Sequence, residues 1–232
     1  SADLSSENLN DVRVKWTDVN KKWQFAEIYE FGPAMNIGLR SAVGTFPCDT
    51  IKVLNNISSG SYNLGTADNI DAIGVDALDF MLYRNNALSH FQGNSASVTY
   101  GLELIQKIKS EINFVINAWN SSYKATFEAG TGTQSTSGFS YLVNEFCKDY
   151  ELIKNAKTGI PLGKYSLGIQ MPEYLEARQS ALTIDLIRES VIASQRLFNG
   201  NSLTNTAGVG FDDYLVALDK SSLATSINNK YA

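Results

Sequence analysis

Residues 69–83, Asn-Ile-Asp-Ala-Ile-Gly-Val-Asp-Ala-Leu-Asp-Phe-Met-Leu-Tyr, decide how the rest of this chain is read. At about 100° per residue, Ile70, Ile73, Ala77, Phe80 and Met81 share one broad side of a helix. Leu78, Leu82 and Val75 carry the apolar surface further around it. Thr66 stands where a cap is needed, and Asp68 and Asp71 fall in the first turn, where negative charge suits the dipole. The pattern predicts one helix over about residues 67–88. What remains is a narrow seam of Asp76, Asp79, Ala72 and Tyr83. A helix apolar nearly all round is a buried one. Two carboxylates at i and i+3 on it repel, and burying them is costly unless something pairs with them.

Working outward, the flanking sequence is helical as well. On the N-terminal side, residues 1–7 are polar and read as frayed. Ser5 or Ser6 then caps a helix to about Tyr29, with Val12, Trp16, Val19, Trp23 and Ala26 on its inward face. Gly32-Pro33 stops it. Residues 34–65 are turn-rich (Gly38, Gly44, Pro47, Gly60, Gly65) and read as a long irregular loop with short helical pieces, a type of segment that is often functional. On the C-terminal side, a long amphipathic helix spans 96–128, its stripe being Leu102, Ile105, Ile108, Ile112, Val115, Ile116 and Trp119. Residues Gly130–Gly138 form a Gly/Ser/Thr-rich flexible connector. Helices follow over Phe139–Lys157 and Pro172–Phe198, and a last one begins near Phe211. No alternating strand pattern occurs. The class predicted is all-α, two antiparallel helical bundles over 1–129 and 139–232 joined by the connector.

Composition narrows the function. The chain has 232 residues, a net charge of -5 and 19% charged residues. That length suffices for a substantial core. The mild acidity and the lack of a basic cluster argue against a nucleic-acid partner. There is no apolar run of about 18 residues that would span a membrane. Cys48 and Cys147 are the only cysteines, and they are read as two buried thiols rather than a bridge. His90 is the one histidine and lies in a polar stretch read as surface. This removes most zinc chemistry.

Five elements, in order, resemble the imelysin-like family, also called iron-regulated protein A-like proteins. Trp16–Pro33, ending Glu30-Phe31-Gly32-Pro33, is similar to the family's helix that closes on Glu-aromatic-Phe-Gly-Pro. Phe46-Pro47-Cys48-Asp49 is similar to its Trp-Pro-x-Asp element. Gly74-Val75-Asp76-Ala77-Leu78-Asp79 stands where the family carries Gly-x-His-x-x-Glu. Ile160-Pro161-Leu162-Gly163 and Gln195–Gly200 are similar to its Pro-Leu-Gly turn and its Leu-Phe-x-Gly helix end. The resemblance implies two helical bundles related by duplication, with the signature near their interface. It implies an exported bacterial protein, periplasmic or a lipoprotein at the outer membrane or cell surface, linked to iron uptake and also classed as a metallopeptidase. It further implies a helix upstream of Ser1 that packs on Trp16 and Trp23, and a final helix running past Ala232.

The signature has changed from His and Glu to Asp76 and Asp79. Carboxylates favour hard cations such as Fe³⁺ or Ca²⁺. The candidate site is therefore Asp76 and Asp79, with Asp49 and Glu27 brought near by the resemblance, Tyr83 about one turn beyond Asp79 to add a phenol, and Gly74 as the motif glycine. A structural alternative stands beside it, in which both aspartates are paired with backbone amides or with arginines such as Arg40, Arg178 or Arg188. Asp49 is otherwise a turn or cap residue, Glu27 a solvated one, and Tyr83 a packed ring. Three functions follow. The first is a non-catalytic protein binding a cation or small ligand between the bundles. The second is a metallopeptidase, which would need an ion with an open position and an activated water. The third is an interaction module for an outer-membrane partner.

Overall fold

The computed structural model describes residues 4–231, and the only β element among them is a lone bridge between Asn201 and Ala207. The all-α class is as the sequence predicts. The helices are α1 (Ser6–Ala26), α2 (Pro33–Ile37), α3 (Leu39–Gly44), α4 (Thr50–Ser59), α5 (Gly74–Tyr83), α6 (Ala87–Gly93), α7 (Ser95–Ala118), α8 (Lys124–Ala129), α9 (Gly138–Leu152), α10 (Thr183–Phe198), α11 (Phe211–Ala217) and α12 (Ser221–Tyr231). No helix among the described residues is long and apolar enough to cross a membrane. Of the polar leader, residues 1–3 lie outside the described residues; Ser5 caps α1, accepting the Asn8 N–H at 3.2 Å.

The signature helix is shorter than its periodicity predicts. Residues 67–69 form a 3-10 turn, 70–73 are irregular, and α5 begins only at Gly74. Two features of the sequence cause this. Gly74 adopts φ +81, a left-handed conformation that favours glycine. Its bare Cα also lies against the Val43 backbone, where a side-chain carbon would collide with the carbonyl oxygen. The turn ahead of it is fixed by long-range bonds: Asp49 N–H to Asp71 O at 2.7 Å and the Tyr100 hydroxyl to Ala72 O at 2.8 Å. At the far end the Arg13 guanidinium donates to Leu82 O at 2.7 and 2.9 Å, satisfying a terminal carbonyl. Arg84 to Asn86 then break the chain before α6. Burial of α5 is as predicted: Val75, Ala77, Leu78, Met81 and Leu82 are all in the core.

That core extends from α1, α3, α4 and α7 around α5 to Ala177 and Leu186, which arrive from the C-terminal half. α1 packs against both α5 and α10, and α9 packs on the turn Glu27–Tyr29. Beside the connector, Phe31 stacks on Phe127 and Tyr141, with ring centroids 5.5 and 6.4 Å apart, and meets Trp119 edge-on. Trp16 and Trp23 are already buried by these elements. Trp16 donates its indole N–H to Val75 O at 3.0 Å.

Several predicted faces shift. The inward face of α1 is Trp16, Asn20, Trp23 and Gln24, while Val12 and Val19 are exposed. The buried stripe of α7 is Tyr100, Gly101, Leu104 and Ile108, and Leu102, Ile105 and Ile116 are exposed. α9 continues into a π-helical turn, Ile153–Gly159. Residues predicted as the first part of a helix from Pro172 make only a 3-10 turn at Pro172–Tyr174, then run irregularly to α10. The last helix is divided into α11 and α12. Neither cysteine is bridged, and Cys147 is exposed rather than buried. His90 is exposed, as predicted.

Replacing Gly74 by Ala should therefore cost more than replacing Gly38, which shares a positive φ but meets nothing within 4 Å. Urea unfolding should give a loss of about 1 kcal/mol for Gly38→Ala from backbone strain alone, and roughly 2–4 kcal/mol for Gly74→Ala, where overpacking adds to it.

Candidate functional site

Asp76 and Asp79 project from α5 toward the segment that precedes α10. Both are buried, at 6% and 1% exposure. Asp76 accepts the Ala177 N–H at 2.7 Å on one oxygen and the Cys48 N–H at 2.9 Å on the other. Asp79 accepts the N–H groups of Gln179 at 2.7 Å and Ser180 at 3.1 Å. Two carboxylates thus hold four backbone amides from two distant segments. The predicted repulsion is met by amide dipoles, not by arginine. Arg40 turns to Glu145 and the Glu27 carbonyl, and Arg178 and Arg188 are exposed.

This binding explains why residues 175–182 are not helical. Ala177 and Ala181 sit at φ +50 and +59, where an alanine is strained by about 1–3 kcal/mol unless its surroundings impose the conformation. The aspartates take the amides of Ala177, Gln179 and Ser180 on the loop between them, and the Thr183 hydroxyl holds the Glu176 carbonyl at 2.5 Å.

Glu176 carries the seam onward. Its side chain reaches the opposite way, accepting from Gln24 Nε2 at 3.0 Å and pairing with Lys157 at 3.1 Å. The Lys157 ammonium lies among four oxygens: Glu27 Oε1 at 2.5 Å, Glu176 Oε2, Ser190 Oγ at 3.2 Å and Gln24 Oε1. Lys157, Glu27 and Glu176 are 3%, 5% and 2% exposed. Burial alone would lower the ammonium, but the charges of Glu27 and Glu176 outweigh it and hold Lys157 above its ordinary range. Burial pushes the Glu27 carboxyl up against the pull of Lys157. The ammonium is thus received by a shell of oxygen acceptors, two of them carboxylate oxygens at charge-assisted distances.

Behind this cluster lies Asp149, 1% exposed, with neither oxygen hydrogen-bonded among the described residues. Burial raises its carboxyl to about 7, with Glu27 adding to the effect and Lys157 and Arg40 opposing it. Asp76 is likewise raised by burial to about 7, against the pull of the Ala177 amide. On its outer side the seam opens into a cleft of about 250 Å³ whose lining includes Glu27, Arg40, Lys157, Phe46, Ile160 and Tyr174.

The remaining expected members are elsewhere. Asp49 caps α4, accepting the Lys52 N–H at 2.9 Å. Tyr83 packs on Trp16 with centroids 5.3 Å apart and under the Arg13 guanidinium, and its hydroxyl donates to Arg13 O. Glu27 does join the seam. Among the described residues no group of three or more His, Cys, Asp or Glu is arranged to hold a metal ion. Burial and the nearby Asp76 and Asp49 push the Cys48 thiol well above its usual range, which makes it a poor nucleophile. Sequence reading missed Gln24, Asp149, Lys157, Glu176 and Ser190. A signal existed for one group: Asn20, Gln24 and Glu27 share the helical face of Trp16 and Trp23, and polar side chains there mark a buried network.

The family model described as Imelysin matches residues 1–232. Among solved structures, the chain is similar to a protein from Parabacteroides distasonis described as an iron-regulated protein A precursor. The TM-score is 0.75 at 15% identity, covering 98% of this chain and 72% of that one. That likeness is one of fold. A comparison with curated proteins gives no match.

Two outcomes are expected. Asp79→Ala leaves the amides of Gln179 and Ser180 without acceptors and should destabilise by roughly 2–4 kcal/mol, with Asp79→Asn, which keeps one acceptor, losing less; an unchanged melting temperature in both would show that these bonds contribute nothing. Asp76 and Asp149 have folded-state values near 7 against 3.8 for a free aspartate. The folded chain therefore binds protons more tightly than the unfolded one, and stability should fall as pH rises from about 4 to about 7, then level off. The dependence of melting temperature on pH across that range should be roughly halved in Asp149→Asn, where Asp76 still titrates.

Proposed function

The chain belongs to the imelysin family, and from that premise we propose an exported, non-catalytic bacterial protein of iron uptake that binds a cation or small ligand at the carboxylate seam between its two helical halves. The observation that carries the reading is the cleft in which Glu27, Arg40 and Lys157 meet, backed by a buried charged network that joins α1 to the segment between α9 and α10. Charged side chains in a cavity that no solvated surface requires are a common mark of a binding site.

Within this reading the aspartates and the cleft have separate tasks. Asp76 and Asp79 use all four oxygens on backbone amides and hold the walls. The cleft receives the ligand. This arrangement favours a small molecule over a bare ion at the signature. It lends less support to metallopeptidase chemistry, which needs an ion with an open position. Iron uptake and export come from the family and from the description of the Parabacteroides distasonis protein, and a partner at the outer membrane would fit the same setting.

A thermal-shift screen with Fe³⁺, Fe²⁺, Ca²⁺, Zn²⁺ and a small-molecule library tests this. At least one should stabilise the protein, and the effect should vanish in Ile160→Trp, which fills the cleft. No stabiliser, or one indifferent to the filling, would defeat the cleft as the site. Chelator-sensitive cleavage of a peptide library would defeat the non-catalytic reading.

A further inference from the structure

A second cavity, of about 260 Å³, lies where α2, α8, the connector and α9 meet. It shares no lining residue with the cleft. Its wall carries no charged side chain. Three rings, Tyr123, Phe127 and Tyr141, stand beside Asn36, Thr126 and Thr136. The rings are held in place. Phe127 and Tyr141 both stack on the buried Phe31, with planes 17° and 5° from parallel. Tyr123 arrives on a π-helical turn, Trp119–Tyr123, and meets Trp119 edge-on at 4.9 Å; such turns collect at functional sites. Two glycines let the rings close on the backbone, since a side-chain carbon on Gly32 would strike the Tyr123 ring and one on Gly138 would strike Phe127. The polar groups of the wall, by contrast, are unused. The Thr126 hydroxyl donates to Ser122 O at 3.4 Å, but the Asn36 amide and the Tyr123, Thr136 and Tyr141 hydroxyls make no hydrogen bond among the described residues.

We propose that this cavity binds an uncharged hexopyranose, one C–H face of the sugar against the aromatic rings and its hydroxyls exchanging hydrogen bonds with Asn36, Tyr123, Thr136 and Tyr141. An ion entering the cavity would lose water and meet no opposite charge in the wall. A purely apolar molecule would cover the amide and the hydroxyls without pairing them, which is costly as well. A sugar ring meets both demands, with hydroxyls around its edge and an apolar face for the rings. Amide and hydroxyl groups together donate and accept, as sugar hydroxyls do. A volume of about 260 Å³ holds one such ring. The cleft, whose lining is charged, calls for a different ligand, so the two cavities are independent sites.

Ligand-observed NMR titration of the full chain tests this with methyl β-D-glucopyranoside and methyl β-D-galactopyranoside, each beside its uronic acid, and with phenol as a flat aromatic. At least one neutral glycoside should bind, and its uronate should bind about tenfold more weakly. The double variant Asn36→Ala/Thr136→Val removes two exposed groups that bond to nothing in the fold. It should keep the melting temperature and weaken the glycoside about tenfold. Lactose separates the two sources of such a ring. It should outbind the methyl galactoside if the site takes a glycan end and match it if the site takes a free sugar, and both results support the site. Failure of both neutral glycosides, equal binding of the uronate, or an affinity unmoved in the double variant would overturn the proposal. So would phenol binding more tightly than either glycoside. None of these results bears on the cleft.

Discussion

Two side chains accept four backbone amides, and the architecture depends on that arrangement. Asp76 and Asp79 stand in a core helix, yet neither pairs with a cation. They supply what residues 177–180 lack, acceptors for N–H groups that a left-handed backbone turns away from any helix ladder. The two costs offset each other. Buried carboxylates need donors, and a buried irregular loop needs acceptors. Because three of the four donors come from residues about 100 positions later, the bonds also fix how the second half sits on the first.

The seam beyond them obeys a different rule. Lys157, Glu27, Glu176, Gln24 and Ser190 form an ionic cluster with little water contact. Such a cluster adds little stability over a well-packed apolar core of the same shape, whereas loss of any one member is costly. Its retention points to a requirement other than stability, and its position at the wall of a cleft is consistent with that. The π-helical turn that carries Lys157 belongs to the same pattern, since such turns collect at functional sites.

The class of the fold was legible in the sequence because helical periodicity and its stops are local properties. The start of α5 was not, although its glycine was visible. Apolar spacing around Ile70 and Ile73 continues smoothly through Gly74, and only the nearness of Val43 shows that the chain must turn there. The same limit applied to 172–182: Leu175 and Leu182 keep helical spacing, while the competing interaction, amides bound by aspartates, lies a hundred residues away. Of the buried seam, the signature aspartates and Glu27 were visible in the sequence. Their partners were not, because a backbone amide has no residue type and can be named only after the fold is known. Asp49 lies in the element leading into α4 and Tyr83 at the end of α5 itself, but each is engaged away from the seam, Asp49 by the first turn of α4 and Tyr83 by Arg13 and Trp16 of α1. Asn20 and Gln24 were read past because the tryptophans beside them gave an apolar explanation for the same face.

The long reach of the aspartate bonds has a consequence for how the chain comes to be folded. As the polypeptide emerges from the ribosome, the first half is complete before Ala177, Gln179 or Leu186 exists. Until then Asp76 has only the Cys48 amide, Asp79 has no donor, and the core around α5 lacks the residues that close it. A contact spanning that much chain forms late and slowly. The N-terminal half is therefore poorly suited to settle early into a finished structure, and the molecule should acquire its cooperative stability in one late step, when the segment ahead of α10 docks.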